Sequence, residues 1–96
     1  MRQTYIISYD VSDPKRLRKV FKTLRGYGDH LQLSVFRCEL SPKELVEVRA
    51  KLSDLIHHRD DQVIFVDVGP ADGRGGESLE TLGRPAEEVD RAAIVV

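Results

Sequence analysis

Residues 4–25 read TYIISYDVSDPKRLRKVFKTLR, and this stretch contains the first predicted strand and the first predicted helix. Apolar and aromatic side chains occupy every second position of residues 3–11, which is typical of a strand with one buried face. Asp13 and Pro14 follow, and these residue types are preferred at the N-cap and at the first position of a helix. The apolar stripe of that helix has helical spacing and comprises Leu17, Val20, Phe21, Leu24 and Tyr27. The stretch therefore predicts a strand, a short turn and a helix that ends at Gly26 and Gly28.

The turn brings a carboxylate next to positive charge. Asp10 ends the strand, and the helix then carries basic residues and no acidic ones: Lys15, Arg16, Arg18, Lys19, Lys22 and Arg25. A carboxylate can hold a divalent cation, and Lys and Arg side chains can hold a polyanion, so the pattern suits a site that handles phosphates. The alternative is that Asp10 and Asp13 are only turn and capping residues and that the cations form a solvated helix face.

The composition indicates one globular domain. The chain has 96 residues, of which 41% are hydrophobic and 32% charged, and its net charge is −1. Residues 1–30 carry seven basic and three acidic groups, whereas residues 31–96 carry eight basic and thirteen acidic groups, so any basic footprint is local. No apolar run approaches the roughly 20 residues of a membrane helix, and no signal-peptide pattern is present. A single cysteine excludes an internal disulfide framework, and we predict a cytoplasmic protein with no membrane partner.

The middle of the chain predicts a hairpin and a second β–α–β connection. The apolar pattern of residues 30–40 changes phase near Ser34 and Val35, which requires either a bulge or a tight hairpin. Residues 41–44 read SPKE, a capping box with proline at the first helical position. The apolar face of this second helix comprises Leu45, Val48, Leu52, Leu55 and Ile56. Residues 62–68 form the next predicted strand.

The last quarter of the chain has a different character. Residues 70–78 are predicted to be a glycine-rich loop, and residues 78–82 a short strand. The apolar, β-branched residues 92–96 would be a sticky edge in water, so we expect them to add to a sheet, either the chain's own or a partner's. The predicted organisation is one domain over residues 1–96, with a core of about residues 1–69, the loop 70–78 and a C-terminal tail 79–96.

The predicted order β-α-β-β-α-β is the ferredoxin-like arrangement of an α+β protein. Two helices then cover one face of a four-stranded antiparallel sheet and leave the other face open. Strand alternation assigns Ile6, Ser8 and Asp10 to the open face, and we expect Phe65 there too. An apolar open face points to a homodimer, in which residues near the twofold axis meet their own copies. Two Asp10 carboxylates would then face each other.

Other reactive side chains have structural interpretations. Cys38 shares its alternation with buried residues and is predicted to be a buried thiol. The adjacent His57 and His58 are interpreted as helix-terminal residues, and Asp67 as a strand-end residue rather than a second metal ligand. Phe36 is interpreted as a core residue rather than a base-stacking platform. For Ser34, a structural hydrogen bond and a role in a site remain equally open.

These residues together resemble the CRISPR-associated protein two family, the small partner of the CRISPR spacer integrase. The resemblance is carried by YDVSD at residues 9–13, by the basic first helix, by QLSVFRC at residues 32–38 and by LGRP at residues 82–85 before a valine-rich end. It implies a ferredoxin-like homodimer whose extra C-terminal strand is added to the partner's sheet. It also implies a part in CRISPR adaptation, an antiviral defence, where the dimer bridges two dimers of the integrase (protein one) and holds double-stranded DNA.

The resemblance further implies a magnesium-dependent endonuclease that acts on single-stranded RNA or double-stranded DNA. The family's metal aspartate falls on Asp10, which is therefore the expected catalytic residue and Mg²⁺ ligand. The expected nucleic-acid contacts are Arg16, Arg18, Lys19 and Lys22. The residues expected to support the site are Tyr9, Ser12, Ser34 and Phe36. Two alternatives remain open, a purely structural DNA-binding scaffold and a ferredoxin-fold module with no nucleic-acid role. From charge and position, Glu87, Glu88 and Asp90 are a candidate integrase docking surface.

Overall fold

A computed structural model describes residues 1–84 of the chain, apart from the side chain of Glu77. Its elements are β1 (Gln3–Asp10), α1 (Pro14–Arg25), β2 (Gly28–Gln32), β3 (Val35–Leu40), α2 (Pro42–Leu55), β4 (Gln62–Pro70) and a one-turn helix α3 (Arg74–Glu77). The four strands form one antiparallel sheet in the order β2-β3-β1-β4. This order confirms the ferredoxin-like α+β prediction.

Both long helices begin where their capping residues predict. The Asp13 carboxylate accepts a hydrogen bond from the Arg16 backbone N–H at 3.0 Å, and Pro14 follows as the first helical residue. At α2 the Ser41 hydroxyl accepts from the Glu44 N–H at 3.2 Å, and the Glu44 carboxylate accepts from the Ser41 N–H at 2.9 Å. Each cap satisfies backbone donors that the first helical turn cannot pair internally.

The hydrophobic core lies between the two long helices and one face of the sheet. The central strands contribute Ile7, Tyr9, Phe36, Cys38 and Leu40, and the helices contribute Val20, Phe21, Leu24, Val48 and Leu52. All of these side chains are buried. The core therefore includes most of the apolar positions that periodicity predicts, and Cys38 is confirmed as a buried thiol.

The phase change after residue 30 is a tight hairpin, with a turn at residues 33 and 34 between β2 and β3. The pairing of β2 with β3 shifts register between His30 and Gln32. His30 and the adjacent Leu31 are therefore both buried, and Leu33 is 73% exposed at the turn. The irregularity explains why a simple alternation does not describe this segment.

The open face of the sheet differs from the prediction at Phe65. Ile7 pairs with Phe65, and side chains directly opposite each other in antiparallel strands lie on the same face. Phe65 therefore packs against the core on the helix-covered face, and its assignment to the open face was wrong. Ile6 instead pairs with Val66, and Val66 and Ile64 are each 47% exposed.

The segment after β4 also differs from the prediction. Residues 74–77 form the helix α3 within the predicted loop, and its Gly75 packs so closely over Thr4 that a Cβ there would lie 2.8 Å from the Thr4 Cβ. The strand predicted for residues 78–82 is absent, because this segment does not pair with the sheet. The predicted C-terminal strand and the acidic residues 87, 88 and 90 lie outside the described residues. No helix within residues 1–84 is long and apolar enough to cross a membrane.

We predict that Gly28→Ala destabilises the fold by about 1–3 kcal/mol, the usual cost of overpacking. A Cβ at Gly28 would lie 2.6 Å from the Cys38 Sγ and would also collide with the Arg37 carbonyl oxygen. Gly26→Ala is the control, because its new Cβ meets only the Thr23 carbonyl oxygen at 3.4 Å. Urea unfolding of both variants measures the difference, and equal midpoints would contradict the close packing at Gly28.

Candidate functional site

Asp10 lies at the carboxyl end of β1, the strand that pairs with both β3 and β4. Its side chain is exposed, and its backbone pairs with Gln62 at the start of β4. In the alternation of β1 it belongs to the open face, together with Ile6 and Ser8. Asp10 is therefore an accessible carboxylate at one end of a partly apolar sheet face, whose other end is covered where α3 packs over Thr4.

The β2–β3 turn is held against β1 beside Asp10. The Tyr9 backbone N–H donates to the Ser34 carbonyl at 3.0 Å, and the Tyr9 hydroxyl donates to the Leu33 carbonyl at 3.2 Å. The His30 Nε2 lies 3.3 Å from the same Leu33 oxygen. Burial raises the pKa of Tyr9 to about 12, so its hydroxyl stays protonated and able to donate. Tyr9 and Ser34 thus hold the backbone next to Asp10 in place.

Phe36 is buried in the core and does not reach the surface. Its ring lies 5.6 Å from the Phe21 ring, 6.2 Å from the Tyr9 ring and 4.8 Å from the His30 ring, measured between centroids. This confirms its interpretation as a core residue. Any support that Phe36 gives to a site passes through the packing of Tyr9 and His30.

Asp61 is the residue that sequence reasoning missed. It lies between α2 and β4, and its side chain is fully buried. Its carboxylate accepts hydrogen bonds from the Arg16 guanidinium at 2.7 and 3.2 Å, from the Ser12 N–H at 3.2 Å and from the His57 N–H at 2.8 Å. The Arg16 hydrogen bond, together with these backbone donors, holds the pKa of Asp61 well below its usual range. In the sequence Asp61 simply follows another aspartate, Asp60, and nothing local indicates a partner 45 residues away.

The basic residues of α1 fall into two groups. Arg16 is half-buried and its guanidinium is bound by Asp61, so it is the least available of the predicted nucleic-acid contacts. Arg18, Lys19 and Lys22 are exposed on the outer surface of α1. Because α1 packs on the face opposite to the Asp10 side chain, the structure does not bring these three cations to Asp10. Ser12 lies in the turn between β1 and α1, with its side chain exposed and its N–H bound to Asp61.

Within one chain, Asp10 is the candidate metal ligand at this end of the sheet. No cluster of three or more metal-ligating side chains occurs within residues 1–84, with Glu77 left aside. Asp67 pairs with Tyr5, five positions from Asp10 and therefore about 17 Å away along the strand, and it accepts from Gln3 and the Gly69 N–H. Mg²⁺ usually keeps several waters and takes one or two carboxylates plus substrate phosphate. An exposed Asp10 fits that coordination as one carboxylate ligand.

The remaining candidates have structural surroundings. Burial, followed by the nearby charge of Asp29, raises the pKa of Cys38 to about 12, so the thiol is not ionised as a nucleophile would be. The His57 Nδ1 lies 3.4 Å from an Asp60 oxygen, and the His58 Nε2 lies 2.8 Å from the Ser53 carbonyl. Both histidines therefore bond locally at the end of α2.

Comparison with known proteins agrees with this fold. The family model for CRISPR associated protein Cas2 matches residues 3–73. The chain belongs to the Cas2 family. CRISPR-associated endoribonuclease Cas2 1 of Rhodospirillum rubrum is 40% identical over 92 residues, which are 96% of this chain and 89% of that protein. The CRISPR-associated endoribonuclease Cas2 of Geobacter sulfurreducens is 34% identical over the full length of both chains. The crystal structure of Streptococcus pyogenes Cas2 at pH 6.5 superposes with a TM-score of 0.73 at 34% identity, covering 83% of this chain and 99% of that one.

We predict that Tyr9→Phe lowers the free energy of unfolding by about 0.5–1.5 kcal/mol, the net value of one hydrogen bond. The variant loses the bond from the Tyr9 hydroxyl to the Leu33 carbonyl but keeps the buried ring. Tyr5→Phe, a second tyrosine of the same strand, is the control. Urea unfolding gives the stability, and amide hydrogen exchange shows whether the β2–β3 turn opens more often. A Tyr9→Phe variant as stable and as protected as wild type would mean that this bond does not hold the turn.

Proposed function

We propose that this Cas2-family chain is a CRISPR-associated, magnesium-dependent endoribonuclease that works as a homodimer, with Asp10 as its catalytic residue and metal ligand. The observation that carries the proposal is the exposed Asp10 carboxylate at the end of the central strand, on an open sheet face, in a chain whose relatives are named endoribonucleases. Single-stranded RNA is the proposed substrate, and the cytoplasm is the proposed location.

The open face supports the homodimer. Ile64 and Val66 are 47% exposed beside Ile6, so an apolar surface lies next to Asp10. Covering this surface with a second copy removes it from water, and a twofold axis near β1 brings each Asp10 towards its counterpart. Two close carboxylates repel each other in the absence of a cation, and a bound divalent ion would relieve that repulsion.

The chemistry assigns different tasks to the residues around Asp10. When bound, Mg²⁺ would polarise a phosphodiester and activate a water. The two Asp10 carboxylates would hold the ion and so would fix where the phosphate is placed. Tyr9 and Ser34 fix the backbone on one side of Asp10, through the hydrogen bonds of 3.2 and 3.0 Å that secure the β2–β3 turn.

A second candidate function is a DNA-binding scaffold in CRISPR adaptation, which holds double-stranded DNA and bridges dimers of the integrase. The observation that favours it is the separation between Asp10 and the exposed cations of α1, which lie on opposite sides of the sheet. Arg18, Lys19 and Lys22 can then hold a nucleic-acid backbone without any part in cleavage. The two functions are compatible, since each uses a different surface.

We predict that purified wild type cuts labelled single-stranded RNA when Mg²⁺ is present and stops when a chelator is added, and that Asp10→Asn abolishes the cutting. The substitution preserves the size of the side chain but removes the charge that holds the cation. Asp67→Asn is the matched control, because this exposed carboxylate lies at the other end of the sheet. Light scattering must find all three proteins in the same oligomeric state. If Asp10→Asn cuts as fast as wild type, Asp10 is not the catalytic residue and the scaffold becomes the preferred function.

We predict that the affinity for nucleic acid depends steeply on salt concentration and that the exposed cations of α1 cause this dependence. Replacing Lys19 and Lys22 together by Gln should flatten the plot of log affinity against log salt, by about 0.9 per lost phosphate contact for duplex DNA and about 0.7 for a single strand. Lys43→Gln is the control, since Lys43 is exposed at the start of α2. Fluorescence anisotropy with a labelled duplex and a labelled RNA measures both slopes. Equal slopes for all variants would exclude Lys19 and Lys22 as phosphate contacts.

A further inference from the structure

Asp61 is a buried carboxylate whose hydrogen-bond partners are Ser12, Arg16 and His57. It follows the turn at residues 57–60, in which His57 and Asp60 are exposed, yet its own side chain is fully buried. Burying an ionised carboxylate is costly unless it is paired and hydrogen-bonded. A buried charge between a helix and an edge strand therefore has to be satisfied by specific partners.

The partners of Asp61 satisfy both of its oxygens. Oδ1 accepts from the Ser12 N–H and from the Arg16 Nη2, each at 3.2 Å. Oδ2 accepts from the Arg16 Nε at 2.7 Å and from the His57 N–H at 2.8 Å. The Arg16 fork thus spans the carboxylate in a bidentate pair, which fixes orientation as well as charge.

These contacts converge on the turn that leaves Asp10. Ser12 lies two residues after Asp10, and Arg16 is tied to the same turn because its backbone N–H donates to the Asp13 carboxylate at 3.0 Å. Asp10 is also paired in the sheet with Gln62, the residue that follows Asp61. Asp61 therefore holds the turn on one side of Asp10 while its chain neighbour holds the strand on the other.

We propose that Asp61, acting through Ser12 and Arg16, is a positioning residue that fixes the backbone of Asp10 for metal binding. The inference rests on the proposed metal-binding role of Asp10. Loss of a group that orients a metal ligand without touching the metal commonly changes the metal affinity by about 10–100-fold. The low pKa of Asp61 fits this role, because the Asp61 carboxylate stays ionised and paired with Arg16 at neutral pH.

The same contacts would also exist if Asp61 were only a clamp that joins α1 to the end of α2. A clamp affects stability alone, whereas a positioning residue also affects the conformation and metal affinity of Asp10. The test must therefore read out Asp10 directly in a protein that is still folded.

The experiment uses the full chain labelled with ¹⁵N and titrated with Mn²⁺, whose paramagnetism broadens the amide signals near its site. Asp61→Asn removes the charge without changing the size of the side chain, and Asp60→Asn removes an exposed carboxylate from the adjacent position as the matched control. Arg16→Lys is the second variant, because it keeps a cation on α1 but cannot span both oxygens of Asp61. All spectra are taken well below the melting temperature of the least stable variant.

We expect Asp61→Asn to shift the amide signals of residues 10–12 and to raise the Mn²⁺ concentration that broadens the Asp10 signal by about tenfold. Arg16→Lys should have a smaller effect in the same direction, and Asp60→Asn should match wild type. If Asp61→Asn is less stable but leaves the Asp10 signals and the Mn²⁺ titration unchanged, the positioning role is wrong and Asp61 is a clamp. If Asp61→Asn does not fold, Arg16→Lys decides by the same two criteria.

Failure of the proposed function has a different signature. Wild type would then show no Mn²⁺ broadening at Asp10 at all, before any variant is compared. That result would remove the metal site and with it the positioning role. A wild type that binds Mn²⁺ beside an Asp61→Asn variant that binds it equally well would remove the positioning role alone.

Discussion

The central position of β1 is the constraint on which the rest of this structure depends. Because β1 pairs with β3 on one edge and β4 on the other, its register is fixed from both sides. Ile7 and Tyr9 then face the helices, and Asp10 faces away from them. A slip of one residue would exchange the two faces and bury the carboxylate in place of the tyrosine. The exposure of Asp10 is thus a consequence of the core packing that holds its neighbours.

Features that involve residues close together in the sequence predicted the fold well. Contacts between residues far apart in the sequence could not be predicted in the same way. Asp13 and Ser41 mark the helix starts because a cap is formed by residues within one turn of each other. The order of elements then limits the topology to very few arrangements. Phe65 was assigned to the wrong face because alternation divides a strand into two faces but does not say which one meets the core. Which face of β4 meets the core is determined by the pairing of Phe65 with Ile7, and these two residues are far apart in the sequence.

The candidate site was predicted from the sequence as a list of charges, and the structure sorts those charges by environment. The first helix carries six basic residues without an acidic one, and nothing local distinguishes Arg16 from the others. The distinction comes from Asp61, which lies 45 residues further along the chain and withdraws one cation into an internal ion pair. The family resemblance similarly placed Tyr9 and Phe36 near the site, whereas their side chains belong to the core.

The layered architecture affects how duplex DNA and a single strand, the two candidate substrates, could reach Asp10. In a dimer formed through the open sheet faces, the Asp10 residues lie near the centre and the α1 helices on the outside, separated by the sheet and by a helix about 10 Å across. Duplex DNA is stiff over about 50 nm, so a duplex lying along α1 cannot bend sharply around the sheet to present a phosphate to Asp10. A single strand is flexible enough to follow that path. The proposed scaffolding on a duplex and the proposed cleavage of a single strand are therefore compatible in one chain, because a duplex held on α1 does not reach the Asp10 carboxylates and a single strand does.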